Sequence, residues 1–329
     1  MKKPIVVLTG PTAVGKTELS IQLAKAIGGE IISADSMQVY KYMDVGSAKI
    51  TPEEMDGVRH YLVDELEPFD EFHVVKFQEY AQKYLNEIYA HGKIPIIAGG
   101  TGFYIQALLN DIDFTEQESD SAYRKELEAL AEEHGNQYLH DRLKEVDPES
   151  AEAIHPNNRK RVIRALEFYQ ETGRKISEHN AKEQMRTSPY NFAYFVLNDE
   201  RSHLYKRIDA RVDKMIEDGL EAEVRRLKEM GCTKDMVAMQ GIGYKEMLSY
   251  LDGGYSLEEA VYIIKRETRH FAKRQITWFK RERDVIWLNK NEFDYKNEAI
   301  LAYMIKILKE KAIICLLYTS PSPRDPKTS

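Results

Sequence analysis

The sequence predicts an α/β protein, a parallel sheet with helices on both faces that carries an all-helical insertion. Three observations lead there. Short β-branched apolar runs alternate with amphipathic helical stretches through residues 1–115. Residues 116–188 turn acidic, strand-poor and helical in period. A further apolar run, Tyr194-Phe195-Val196-Leu197, then returns the chain to the sheet.

Ile5–Leu8 reads as the first strand, because a short apolar run with β-branched residues suits a sheet buried on both faces. Thr17–Ile27 follows as a helix, with Leu19, Leu23 and Ile27 at helical spacing and no interior Gly or Pro. Glu30–Ser33, Tyr61–Val63 and Ile94–Ala98 are the next strands, with helices at Glu53–Asp56 and Val74–His91. Within the insertion, helical period covers Arg124–His134, Gln137–Val146 and Asn158–Thr172. Asp147-Pro148 opens one more short helix, and Gly173 stops the long one. Helices at His203–Met230, Leu257–Arg283 and Ala299–Lys311 complete the chain. The expected divisions are a first core segment, 1–115, a helical insertion, 116–188, and a second core segment with basic helices, 189–311. The Ser/Pro-rich stretch 315–329 lacks periodicity and is expected to be a disordered or cloning-derived tail.

Composition narrows the class. Two cysteines, Cys232 and Cys315, form no CxxC pair, so neither a zinc site nor a disulfide framework is supported and a cytoplasmic protein is expected. No apolar run is long enough to span a bilayer, so no membrane association is expected. The net charge of −7 argues, taken whole, against a nucleic-acid partner. Local charge reverses that argument. Asn110 to Ile154 is dominated by acids, whereas Arg159-Lys160-Arg161 with Arg164, Lys206-Arg207 with Arg211, and Lys265 to Arg283 are basic.

Gly10, Pro11, Thr12, Ala13, Val14, Gly15, Lys16 and Thr17 form a GxxxxGK[ST] loop between the first strand and the first helix. Its backbone N–H groups and the helix N-terminus face one concavity, with Lys16 as a point charge and the Thr17 hydroxyl available to Mg²⁺. A di- or triphosphate ligand and a P-loop NTPase-like core follow. Asp35 ends the second strand, on the sheet edge that carries the loop. There it would hold Mg²⁺ through water, act as a general base, or simply cap the next turn. A hydrolase usually ends a later strand in an acid. Here Ile94–Ala98 runs instead into Gly99-Gly100-Thr101-Gly102, which favours a transferase.

Six blocks resemble the bacterial tRNA dimethylallyltransferases: Gly10–Thr17; Asp35–Tyr40 with Met43–Lys49; Gly99–Tyr104; Asn158–Glu167; Gln240–Glu246; and Ala272–Phe279. They occur in family order and reach nearly the whole chain. The resemblance implies transfer of a dimethylallyl group from dimethylallyl diphosphate to the exocyclic amine of the adenosine 3′ of a tRNA anticodon. The loop would then hold the donor's diphosphate, with Mg²⁺ at Thr17 and through water at Asp35. The implied catalytic residues are Asp35 as base, Thr17, and Arg211 as a diphosphate clamp. The implied tRNA-binding residues begin with Asp35, Ser36, Met37 and Gln38 (the last reading the adenine edge), then Thr101 and Arg124. They continue with Arg159, Lys160, Arg161, Val162 and Ile163, and with Gln240, Gly241, Ile242, Gly243, Tyr244 and Lys245. Lys273, Arg274, Gln275, Ile276, Thr277, Trp278, Phe279 and Lys280 complete them, and Tyr244 and Trp278 could stack on bases. On this helix Lys265, Arg269 and Lys273 form a basic row, which the family match turns from a solvated face into a tRNA contact. Two departures stand out: family members commonly carry Gly where Tyr42 stands and Thr where Ser47 stands. A monomer is expected, since two basic surfaces must embrace one tRNA. The rival readings are a small-molecule kinase with Asp35 as base and a non-catalytic RNA-binding protein.

Overall fold

In the computed structural model, residues 2–112, 122–184 and 187–314 are described. The expected tail, 315–329, lies outside them, as do Cys315 and the acids from Asp113 to Asp120.

The chain runs β1 Lys3–Thr9, α1 Lys16–Ile27, β2 Gly29–Ser33, α2 Pro52–Met55, β3 His60–Tyr61, α3 Val74–Ala90, β4 Ile94–Gly99 and α4 Gly102–Asn110. The inserted helices are α5 Ala122–His134, α6 Asn136–Val146, α7 Pro148–Ala153, α8 Arg159–Thr172 and α9 Ile176–Gln184. Then follow β5 Tyr190–Asn198, α10 Arg201–Glu217, α11 Leu220–Glu229, α12 Tyr244–Leu251, α13 Leu257–Phe279, β6 Val285–Asn289 and α14 Asn297–Glu310. Two compact units result: Met1–Leu109 with Pro189–Ser329, and Asn110–Ser188.

The first unit is built on a six-stranded sheet of order β3-β2-β4-β1-β5-β6, with every paired neighbour parallel. Side chains alternate across it, as a period of two demands. Ile5, Val7, Ile32, Ile97 and Tyr194 enter one core, while Val6, Leu8, Ile31, Ile96 and Phe195 enter the other. Both faces are therefore covered. The parallel sense brings the C-terminal ends of β1, β2 and β4 to one edge, with the loops that follow them.

The second unit packs Leu127, Leu139, Leu143, Val162, Ile163 and Leu166 into its own core. Asp147 staples it: the buried carboxylate accepts from the backbone N–H and hydroxyl of both Ser150 and Ser177. Burial and these donors leave its pKa below the ordinary value, the donors outweighing the desolvation. Arg124 is bound to Glu167 at 3.0 and 2.7 Å.

Several elements differ from the sequence reading. The stretch His203–Met230 is two helices, because Gly219 adopts φ 97° and breaks the turn between α10 and α11. The helix expected to reach Arg283 stops at Phe279, and Val285–Asn289 then forms an edge strand. Only one of its residues, Leu288, is buried, so the strand lies at the sheet edge although Val285–Leu288 is an apolar run. The strand expected at Tyr61–Val63 ends at Tyr61, because Leu62 turns to φ 61°. Helix α4 follows the Gly-rich turn and was not expected; apolar nearly all round, it has no helical stripe to see.

Tyr42 also has left-handed backbone, φ 65°, and its side chain is 41% exposed. That conformation suits the Gly expected there from the family resemblance, and it strains a bulky L-residue. Replacing Tyr42 by Ala removes the ring but keeps the strain, whereas Gly removes both. Tyr42→Gly should therefore unfold at a higher denaturant midpoint than Tyr42→Ala, by about 1 kcal/mol of stability. Equal midpoints would contradict the strain.

Candidate active site

The phosphate loop turns sharply as it leaves β1. Gly10 has φ 148°, and a Cβ there would fall on the Leu197 carbonyl oxygen, so no other residue fits. Gly15, at φ 103°, admits the chain into α1. The Lys16 ammonium folds back onto the carbonyl oxygens of Gly10 and Pro11, at 2.9 and 2.8 Å. Outside the loop, Arg207 Nε donates to the Ala13 carbonyl at 2.7 Å and Lys290 Nζ approaches the Val14 carbonyl at 3.4 Å. A trans peptide points its N–H opposite to its C=O, so holding the Val14 carbonyl turns the Gly15 N–H away from Lys290.

The neighbouring strand ends close in around it. Ala34 N–H donates to the Ala98 carbonyl and Thr101 N–H to that of Ala34, at 2.8 and 3.1 Å. Gly99 must be glycine, since a Cβ would collide with the Ala34 backbone. From α13, the buried Gln275 joins the two loops. Its Oε1 accepts from Thr12 N–H and its Nε2 donates to the Gly100 carbonyl, both at 2.9 Å.

These loops and helices α10, α12 and α13 enclose a cavity of about 580 Å³. Lys16, Thr17, Asp35 and Arg211 supply its polar, charged lining. Phe72, Ile208, Val212, Met215 and Ile264 make an apolar wall. Burial, and secondarily the Arg211 guanidinium, push the Lys16 ammonium down to about 7, with Asp35 opposing. Arg211 is likewise lowered, by burial first, and Asp35 again opposes. Asp35 Oδ1 accepts from Met37 N–H at 2.8 Å and Gln38 N–H at 3.3 Å. It thus caps the next turn and also faces the cavity; the two readings of this residue are compatible.

Of the other residues singled out from sequence, Ser36, Met37, Gln38, Thr101, Gln240, Gly241, Ile242, Lys245, Arg274 and Gln275 line this cavity. Gln38 already donates Nε2 to the carbonyls of Ser47 and Ala48, at 3.4 and 3.0 Å. Reading an adenine edge bidentately requires that amide to turn. Several expected tRNA contacts are instead internal. Tyr244 and Phe279 are fully buried, and Ile276 packs against the core, so Tyr244 cannot stack on a base. Trp278 packs edge-on to Phe103 and against Gly102. Gly243 is a turn at φ 101°. Val162 and Ile163 are core residues of the insertion, while Lys160 and Arg161 are exposed and Arg159 lies 3.7 Å from Glu132. The basic row on α13 is partly neutralised, since Lys265 meets Asp213 and Arg269 meets Asp209, both at 2.5 Å. Lys273, Arg274, Thr277 and Lys280 stay exposed. Lys290 and Glu223 were missed entirely; each reaches its partners across the fold, and no local pattern signals them.

A sequence model described as IPP transferase matches residues 38–282. The chain belongs to the IPP transferase family. It is 64% identical to a tRNA dimethylallyltransferase of Lachnoclostridium phytofermentans over 313 residues, covering 95% of this chain and 99% of that one. A tRNA dimethylallyltransferase of Acetivibrio thermocellus is 53% identical over 296 residues, 90% of this chain and 95% of its own. Among solved structures, the tRNA isopentenylpyrophosphate transferase of Bacillus halodurans matches at 46% identity and TM-score 0.71, over 94% of this chain and 98% of that one. A eukaryotic dimethylallyltransferase acting on tRNA matches at TM-score 0.80 and 31% identity, over 94% of this chain and 80% of that one. The chain is accordingly a prenyltransferase with the P-loop-like fold of these enzymes, and the kinase reading is set aside.

Gln275 is the joint between loop and helix. Gln275→Met would keep its bulk but strand the Thr12 N–H and the Gly100 carbonyl. We expect a loss of about 1–3 kcal/mol in denaturant unfolding. A loss under about 0.5 kcal/mol, the size of an ordinary surface change, would contradict the joint.

Proposed function

We propose that this cavity transfers a dimethylallyl group from dimethylallyl diphosphate to the N6 amine of the adenosine 3′ of a tRNA anticodon, releasing diphosphate. One observation carries the reading. A phosphate loop and a carboxylate, Asp35, share one cavity with an apolar wall, and the strand end where a hydrolase places its acid carries Gly99 and Gly100 instead. The names of the relatives point the same way.

In this reading the diphosphate lies in the loop, against Lys16 and Arg211, and the prenyl group lies toward the apolar wall. The C1–O bond of the donor breaks as the N6–C1 bond forms. Charge builds on the leaving diphosphate, where preorganised cations and N–H donors act most strongly. The adenine amine is a poor nucleophile, because its lone pair is delocalised. Asp35 takes its proton as the new bond forms; Oδ1 is held by two N–H groups, and no hydrogen bond to Oδ2 is present among the described residues.

The reaction calls for Mg²⁺, an ion usually held chiefly by substrate oxygens and water. The Thr17 hydroxyl would hold it, with Asp35 through water, and the ion would supply further charge neutralisation. The acceptor base leaves its stack to enter the cavity. Lys273 and Arg274 on α13 and Lys280 at its C-terminal cap, with Lys160 and Arg161 on the insertion, contact the tRNA backbone. No helix among the described residues is long and apolar enough to cross a membrane. In this reading the enzyme works as a cytoplasmic monomer.

The test incubates the protein with Mg²⁺, unmodified tRNA and labelled dimethylallyl diphosphate, with ATP as competitor. Label should enter tRNA despite ATP. Asp35→Asn should keep donor binding while kcat falls by about 10²–10⁴. Label that stays out of tRNA would overturn the function; normal turnover by Asp35→Asn would overturn the base.

A further inference from the structure

Glu223 on α11 is 5% exposed, far from the phosphate loop in sequence, and has no role in the proposed chemistry. Its carboxylate is surrounded by donors. Oε2 accepts from the N–H groups of Asp44 at 2.8 Å and Val45 at 2.7 Å, and Oε1 from that of Gly46 at 3.0 Å. The Tyr244 hydroxyl donates to Oε1 at 2.8 Å. Burial first, and then Glu223, raise the Tyr244 phenol well above its ordinary range, so it remains a donor. No Lys or Arg forms an ion pair with Glu223 among the described residues. The negative charge is therefore held by three successive backbone N–H groups and one phenol. Such a charge-assisted set fixes the path of a loop rather than merely packing it. Gly46 completes the fit, since a Cβ there would lie 2.6 Å from Tyr244 Cζ.

The loop held in this way is the one that meets Gln38. Ala48 N–H donates to the Val45 carbonyl at 3.0 Å, and the carbonyls of Ser47 and Ala48 receive the Gln38 amide. Gln38, Gly46 and Ser47 all line the cavity. A path of hydrogen bonds thus runs from Glu223 through Asp44–Gly46 and Ser47–Ala48 to Gln38.

We propose that Glu223, with Tyr244, is a positioning residue for the acceptor base: it fixes the Asp44–Ala48 loop, whose carbonyls hold Gln38 Nε2, and so sets where Gln38 Oε1 meets the amine edge of the flipped adenine. The inference rests on the reading of Gln38 as an acceptor contact. It predicts a split between the two substrates, because the donor's diphosphate is held by a different loop.

Steady-state kinetics on Glu223→Gln, Tyr244→Phe and Gln38→Leu, with tRNA and donor varied separately, test it. Glu223→Gln puts an NH₂ group where the donors converge. It should raise KM for tRNA by roughly tenfold and leave KM for dimethylallyl diphosphate unchanged. Tyr244→Phe removes one donor of four and should shift the same KM by a smaller factor. It also decides the matter if Glu223→Gln does not fold. If both variants lower only the melting temperature, or raise both KM values together, Glu223 is structural and the inference fails. If Gln38→Leu raises KM for tRNA while Tyr244→Phe and Glu223→Gln do not, only this inference fails. If Gln38→Leu leaves that KM unchanged, the reading of Gln38 fails, and the inference with it.

Discussion

Lys16, Arg211 and the Asp35 carboxylate meet in a confined hollow at the edge of a parallel sheet. Lys16 and Arg211 repel each other across it, and Asp35 offsets the repulsion only in part. Burial adds to the penalty, because each charge has left much of its hydration behind. An arrangement of this kind is poor for stability and well suited to a polyanion. A diphosphate would restore the favourable field for both cations, which is also the field that a departing diphosphate needs.

The remaining architecture keeps this hollow in shape. Parallel pairing of β1, β2 and β4 delivers the loop, Asp35 and Gly99–Gly100 to one edge. Gln275 reaches from α13 to tie two of these loops together, and Arg207 and Lys290 hold the loop's carbonyls from outside. Helix α13 therefore has two roles. Its inward side chains lock the donor loop, while its exposed Lys273 and Arg274 offer charge to a phosphate backbone. Glu223 does for the acceptor loop what Gln275 does for the donor loop.

Much of this was legible in the sequence, and the division has physical causes. Strands buried on both faces announce themselves as apolar runs, and a phosphate loop needs Gly at fixed spacing, so β1, β4 and Gly10–Thr17 were readable. Asp35 was readable through topology, since a parallel sheet fixes which strand ends meet. Edge strand β6 and the nearly all-apolar α4 were not, because a four-residue apolar run such as Val285–Leu288 is not told from a helical segment by periodicity and α4 shows no stripe. Motif matching also assigned to tRNA several residues that the fold buries. Tyr244, Ile276, Phe279, Val162 and Ile163 sit within blocks that the family resemblance assigned to tRNA yet serve the core, as helical periodicity alternates inward and outward residues. Glu223 and Lys290 act on backbone groups distant in sequence, and side-chain-to-backbone contacts over such separations leave no local pattern.

The most direct measurement is the pH titration of the Lys16 side chain by NMR, through its ε-carbon resonance, in the empty protein and with inorganic diphosphate. The midpoint should fall near neutral pH, about 7, in the empty protein. Diphosphate should move it upward, because the bound anion favours the charged ammonium, and Arg211→Met should raise it in the empty protein. A midpoint near the ordinary 10.5 in the empty protein would contradict the confined charge on which the site is built.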